Sequence, residues 1–300
     1  LDELYSEFEK SYESKTKLQN LLNRLAKIKI FDPACGSGNF LIIAYKKLRE
    51  LEMSILQRIE ALSKERTFVF SEIRLTQFYG IELDDFAHEV AMLSLWLAEH
   101  QMNLEFYKAF GRTSPSLPLH DGGHIVHGNA TRINWEEVCP KEDGDEIYIL
   151  GNPPYIGGKS QTKEQKKDME IVFHGIKNFK ELDYIACWFL KATKYINKTS
   201  KCAFVTTSSL SQGAQVEQLW THVFSANIEI FFAYKPFLWT NNAKDKAGVS
   251  CSIIGLQCTT KEKKYIFDGS LKYVVQNINA YLTGGINRVI TKSLKPISNF

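Results

Sequence analysis

Apolar residues recur at helical spacing near the start of the chain, as at Leu18, Leu21, Leu22 and Leu25, and predict a helical segment over residues 1–27. The unbroken apolar run 28–31 predicts a buried strand. A glycine-containing turn follows, and the amphipathic stretch 40–62 predicts a long helix. A second strand is expected at 78–83 and a second helix at 85–101. After a Gly/Pro/Ser-rich loop over about 111–123, strands three and four are expected at 124–129 and 146–152. The polar, basic stretch 157–170 reads as a mobile loop or a solvated helix. Helices at 182–196 and 216–224 alternate with strands at 201–207, 228–235 and 249–258. From about residue 259 the pattern weakens, and a second domain is expected to begin there.

Strands alternating with helices predict an α/β fold around one mainly parallel sheet of seven strands, with helices on both faces. No helix separates the last two strands, so the final one is expected to run antiparallel.

Composition narrows the class only a little. The 300 residues are 44% hydrophobic and 24% charged, ordinary values for a globular protein. No apolar run reaches 18 residues, so no membrane span is expected, and the acidic start lacks the features of a signal peptide. The chain begins with Leu1 rather than Met, so a piece of a longer polypeptide or a processed product is expected, with both ends taken as cuts. Six cysteines are scattered without a CxxC pair, which disfavours a zinc knuckle and suggests a reduced, cytoplasmic setting. A net charge of +3 neither requires nor excludes nucleic acid.

The first chemical signal is FDPACGSGNF (31–40), at the end of the first strand, where open α/β sheets bind nucleotide-like ligands. Gly36 and Gly38 permit positive φ and close backbone approach. The third glycine of a dinucleotide fingerprint is absent, and so is the lysine of a phosphate loop. Asp32 would repel phosphate but suits an ammonium group, such as the amino-acid end of S-adenosylmethionine. Glu82 closes the second strand, where a carboxylate can accept ribose hydroxyls. Asn129, after the third strand, is placed to meet the cofactor's adenine amine. The candidate cofactor contacts are Asp32, Pro33, Ala34, Gly36, Gly38, Asn39, Phe40, Glu82, Asn129 and Ala130.

The sharpest signal is the Asn152, Pro153, Pro154, Tyr155 string after the fourth strand. An aromatic exocyclic amine is a poor nucleophile because its lone pair is delocalised. Two acceptors at its hydrogens, the Asn152 side-chain oxygen and the Pro153 carbonyl, localise that lone pair and stabilise the positive charge that develops on nitrogen. Tyr155 offers a face on which a flipped-out base can stack. These four residues are the candidate catalytic set.

Together these elements resemble the gamma class of amino-methyltransferases. The segments at 164–169, 182–192, 209–220 and 236–255 resemble those of the MmeI-like type IIG restriction–modification enzymes. That resemblance covers about residues 20 to 300. It implies a Rossmann-like class I S-adenosylmethionine-dependent methyltransferase fold and methylation of adenine N6 in DNA. It further implies one long polypeptide carrying a nuclease, a helical spacer, this catalytic domain and a target recognition domain. Residues 1–27 would then be the end of the spacer, 28–262 the catalytic domain and 263–300 the start of the recognition domain. Partners would be double-stranded DNA with a flipped adenine and the rest of the parent polypeptide. Phe237 or Trp239 would complete the base pocket.

Other readings compete. The same string serves methyltransferases acting on a protein glutamine amide or an RNA guanine amine. A non-catalytic cofactor- or DNA-binding subunit and an NAD-dependent enzyme are further options. His120, His124 and His127 lack the companion ligands of a metal site, so no metal is expected. The serines at 208, 209 and 211 form no nucleophile elbow with His222. Lysines over 159–167 fit DNA phosphates or a solvated face equally well.

Overall fold

The structure is a computed structural model, and it describes residues 1–63, 70–111, 123–239 and 249–289, with the side chain of Trp239 left out. The glycine-rich loop expected around 111–123 falls almost wholly outside the described residues, as does His120. The chain forms two compact units, Leu1–Ala130 with Asn134–Leu150, and Thr131–Ile133 with Gly151–Phe300.

In the first unit, α1 (Asp2–Ser11) and α2 (Lys15–Leu25) lead into β1 (Ile28–Asp32). The helical lead-in breaks where Ser14, in extended conformation, caps α2 by accepting from the Lys17 N–H. α3 (Asn39–Ser63), β2 (Phe78–Glu82), α4 (Asp85–Phe110), β3 (His124–His127), α5 (Trp135–Val138) and β4 (Glu146–Gly151) follow. The strands lie in the order β3-β2-β1-β4, and all are parallel. Leu18, Leu21 and Leu25 of α2 pack with Leu41, Tyr45, Leu48 and Ile55 of α3, with Leu95 and Met102 of α4, and with Ile28, Ile30 and Phe78 of the sheet. Each such side chain contributes about 1.5–3 kcal/mol on burial, so the helix faces are fixed by their leucine spacing. α4 is nine residues longer than the expected helix. Its cap is Asp84, which accepts from the Ala87 N–H, and Gly111 ends it at φ +71°.

The second unit contains α6 (Lys163–Val172), α7 (Ala186–Tyr195), β5 (Ser200–Thr207), α8 (Gly213–Gln215), a π-helical turn (Val216–Trp220) and α9 (Thr221–Ser225). β6 (Ile228–Trp239), β7 (Val249–Cys258), β8 (Lys264–Asp268) and β9 (Leu271–Val275) complete it. Its strand order is β5-β7-β6-β8-β9. β7 runs antiparallel to both neighbours, β8 is parallel to β6, and β9 is antiparallel to β8.

Seven strands were expected, and the described residues hold nine. The expected ones are β1 to β7, with β7 antiparallel as the missing helix implied. β8 and β9 escaped because their burial does not follow their apolar residues. Lys264 sits on the buried face of β8, with its ammonium on Glu229 and on the carbonyls of Thr260 and Glu262, and β9 is almost wholly exposed. The basic stretch 157–170 is partly α6, capped by Thr162 and Gln165 and burying Asp168, Met169 and Val172. The helix expected at 182–196 begins only at Ala186.

Candidate functional site

The first unit gathers the candidate cofactor contacts at the carboxyl ends of its strands. Asp32 ends β1, is fully buried, and accepts the Ala34 N–H at 3.0 Å through Oδ1. Its Oδ2 is buried with no hydrogen-bond partner. Burial pushes the carboxyl up to about 7, helped by the charge of Glu82 and opposed by the Ala34 N–H. A buried, half-satisfied carboxylate is costly on its own, and it fits an ammonium group.

The turn that follows is fixed by β2. Cys35 N–H donates to the Ile81 carbonyl at 3.1 Å, and Gly36 N–H to Glu82 Oε2 at 2.8 Å. The other Glu82 oxygen accepts from Asp84 N–H at 2.9 Å. Glu82 therefore holds the turn as well as ending the strand, a role the sequence did not reveal. Gly36 and Gly38 adopt φ +54° and +83°, and a Cβ on Gly36 would meet nothing within 4 Å. That open side fits a ligand lying on the turn. Pro33 is buried, Ala34 half-buried, and Asn39 and Phe40 are exposed at the start of α3. Asn129 is half-buried after β3, and the buried Ala130 gives its carbonyl to the Trp135 indole N–H at 2.9 Å.

The second unit holds the candidate acceptor loop. Asn152 Oδ1 is buried and has no hydrogen-bond partner, so the oxygen proposed to take an amine hydrogen is free to do so. The Asn152 side chain is hydrogen-bonded to Tyr155, which is half-buried. Burial raises the Tyr155 phenol, Cys251 adds to that rise, and the Asn152 contact opposes it. Pro153 is buried and Pro154 exposed. Cys251 Sγ approaches the Tyr155 hydroxyl at 3.9 Å, and Phe237 lies directly opposite Cys251 in the β6–β7 ladder. Opposed residues share one face of a sheet, which brings Phe237 to the Tyr155 side. Trp239 pairs with Val249, two positions further along β6.

Sequence reasoning missed the support of this loop. Ile156 N–H donates to Asp183 Oδ1 at 2.8 Å, and the Ile156 carbonyl accepts from Tyr184 N–H at 3.0 Å and from Gln161 Nε2 at 3.1 Å. Asp183 hides inside a stretch whose apolar spacing reads as helix. An acidic residue just before a helix start was the available signal.

His124 and His127 make local contacts. His127 Nε2 meets the Leu83 carbonyl at 3.0 Å, and His124 stacks on Tyr79 with ring centroids 4.9 Å apart. Among the described residues no His/Cys/Asp/Glu group is arranged to hold a metal ion.

A family model described as "MmeI, DNA-methyltransferase domain" matches residues 8–268. The "DNA methyltransferase A" of Bacillus subtilis (strain 168) is 51% identical over 302 residues, covering 100% of this chain and 34% of that protein. The chain thus spans about a third of that relative's length. The Escherichia coli type II restriction enzyme and methyltransferase RM.Eco57I is 27% identical over 175 residues, 52% of this chain and 17% of that protein. The solved structure of the type IIL restriction–modification enzyme MmeI in complex with DNA superposes with a TM-score of 0.91 at 38% identity, over 100% of this chain and 41% of that one. The chain belongs to the MmeI DNA-methyltransferase domain family.

Proposed function

We propose that this domain transfers a methyl group from S-adenosylmethionine to the N6 amine of adenine in double-stranded DNA, as the modification part of a type IIG restriction–modification enzyme. The observation that carries the reading is the buried, unpartnered Oδ1 of Asn152, beside a tyrosine, in the Asn-Pro-Pro-Tyr loop. A buried acceptor without a donor costs about 1–3 kcal/mol, and a substrate N–H removes that cost.

Asp32 would hold the donor's ammonium and Glu82 its ribose, with the turn backbone from Pro33 to Phe40 beneath it and Asn129 and Ala130 at its adenine. S-adenosylmethionine supplies, when bound, a sulfonium methyl that leaves as its carbon–sulfur bond breaks. Asn152 Oδ1 and the Pro153 carbonyl accept hydrogen bonds from the two N–H groups of the adenine amine and favour a tetrahedral nitrogen, and once the carbon–nitrogen bond has formed the methylated nitrogen gives up one proton to solvent. Pro154 stiffens the loop by fixing φ. Tyr155 stacks on the flipped base, and one aromatic of the β6 end, Phe237 or Trp239, completes the pocket.

We assign residues 1–27 to the end of a helical spacer, 28–262 to catalysis, and 263–300 to the start of a target recognition domain. The nuclease lies elsewhere in a longer, cytoplasmic polypeptide. No helix among the described residues is long and apolar enough to cross a membrane.

The test is transfer of tritiated methyl from S-adenosylmethionine in the full-length protein, with DNA, a release-factor protein and structured RNA as acceptors. Label on adenine N6 of DNA alone supports the reading. Label on protein glutamine or RNA guanine overturns it.

A further inference from the structure

The residue that follows the catalytic string is anchored through its backbone. Ile156 uses both of its backbone groups, its N–H on Asp183 Oδ1 and its carbonyl under two donors. The holding segment is itself tied down. Gln161 Nε2 also donates to the Leu182 carbonyl at 2.9 Å, and Asp183 N–H donates to Gln215 Oε1 at 3.1 Å. Asp183 is only 5% exposed, and its Oδ1 accepts a second N–H, from Ile185, at 3.3 Å. A buried carboxylate is expensive unless it is satisfied. This one is satisfied by the backbone of the catalytic loop and of its own helix start, not by a cation.

We infer that Asp183 is a positioning residue for the acceptor loop, fixing Ile156 and thereby the placement of Tyr155 and of the free Asn152 oxygen. The inference rests on the methyl-transfer reading for its effect on rate. The chemistry explains why a charged acceptor stands there. A carboxylate makes hydrogen bonds roughly twice as strong as a neutral acceptor, and Tyr155 is one peptide unit from the anchored N–H. Misplacement of reacting groups by about 1 Å costs on the order of 100-fold in rate.

The experiment compares wild-type, Asp183→Ala and Asp183→Asn forms of the full-length protein in three measurements. The first is kcat and KM for methyl transfer to DNA, the second is S-adenosylmethionine affinity by calorimetry, and the third is exchange of the Ile156 amide hydrogen by mass spectrometry. Asp183→Ala is expected to lower kcat by about 100-fold, leave donor affinity within about twofold, and unprotect the Ile156 amide. Asp183→Asn keeps an oxygen acceptor and should retain both protection and a rate within roughly tenfold of wild type. An Ile156 amide equally protected in the alanine form, or a wild-type kcat there, overturns the inference. So does a loss of donor affinity in parallel with kcat in both variants, which marks a general structural role. Should Asp183→Ala fail to fold, the acceptor-free variant of similar shape, Asp183→Leu, takes its place: an unprotected Ile156 amide in that folded form supports the inference, and full protection with wild-type kcat overturns it. A wild-type protein that methylates no DNA sinks the methyl-transfer reading, and the amide exchange then decides the positioning role alone.

Discussion

The cofactor turn of the first unit and the acceptor loop of the second are held by the same device. In each, a carboxylate from a distant stretch of chain accepts a backbone N–H of the loop: Glu82 takes Gly36 N–H, and Asp183 takes Ile156 N–H, each at 2.8 Å. In each, one buried oxygen is left unpaired, Asp32 Oδ2 in the turn and Asn152 Oδ1 in the loop. The difference lies in charge and in the job given to the holder. The turn's free oxygen belongs to an ionisable acid, suited to a cation, and its holder Glu82 is itself a candidate ligand contact. The loop's free oxygen is neutral, suited to an amine hydrogen, and its holder faces only backbone. Binding and reaction should therefore come apart under mutation, one unit setting affinity and the other rate.

Asn152→Ala should separate them most sharply. Removing one preorganised polar group from a reacting centre costs about 100- to 1000-fold in kcat. Tritiated-methyl incorporation into DNA should fall by that factor, while calorimetric affinity for S-adenosylmethionine stays at the wild-type value. A parallel loss of affinity would mean that the two units do not divide the work.

Asp32→Asn should do the reverse. Losing a hydrogen bond to a charged group costs about 1.5–3 kcal/mol, or roughly 10- to 100-fold in donor Kd. The same acid sets a pH dependence. With its folded value near 7, donor affinity should weaken about tenfold per pH unit below that value, because binding then has to expel a proton. For stability the sign is opposite. An unfolded aspartate titrates near 4, so between about 4 and 7 the folded, ligand-free protein keeps a proton that the unfolded chain has lost. Its contribution is fully present below about 4 and is lost as pH rises through about 7. The asparagine variant should melt higher than wild type at pH 8 and lose most of that advantage at pH 4. Equal melting at both pH values would show that Asp32 is solvated.

Tyr155 tests stacking against hydrogen bonding within the acceptor loop. Loss of a base-stacking ring costs about 1–3 kcal/mol. Tyr155→Ala should therefore weaken DNA methylation by roughly tenfold or more, chiefly through KM for DNA. Tyr155→Phe removes only the contacts to Asn152 and Cys251 and should stay within a few-fold. Should phenylalanine be as damaging as alanine, the hydroxyl, not the ring, is what matters.

How far the sequence showed all this follows from where each signal sits. The cofactor turn is a contiguous string whose glycines and acid lie within seven residues, and the alternation of apolar runs placed β1 to β7 and most helices. The acceptor string was legible for the same reason. Its support was not, because Asp183 and Gln161 act on Ile156 from 27 and 5 residues away, and apolar periodicity carries no record of such pairs. β8 was hidden by Lys264 on its buried face. The full length of α4 was hidden because its final turns carry apolar residues on both the core and the solvent side, with Phe106 buried and Tyr107 56% exposed.

The smallest expected effects come from a matched pair of glycine substitutions, one in each unit. Gly38 sits at φ +83°, and an added Cβ would lie 3.4 Å from Ala91. The space is ordinary, so the cost is the left-handed backbone, about 1–2 kcal/mol. Gly158, three residues after Tyr155, has no such strain, but its Cβ would fall 2.8 Å from the Lys180 carbonyl oxygen. Backbone has to move there, at a similar cost of about 1–3 kcal/mol. Gly38→Ala and Gly158→Ala should thus lower melting temperature to similar extents for different reasons. The first should weaken donor binding a few-fold with little change in kcat. The second pushes on the segment that carries Asp183 and should lower kcat a few-fold with donor affinity unchanged. Calorimetry and single-turnover methylation on both variants would read the split directly. If the two variants shift affinity and rate together, the loops share one mobile framework, and the division of labour drawn from their two free oxygens does not hold.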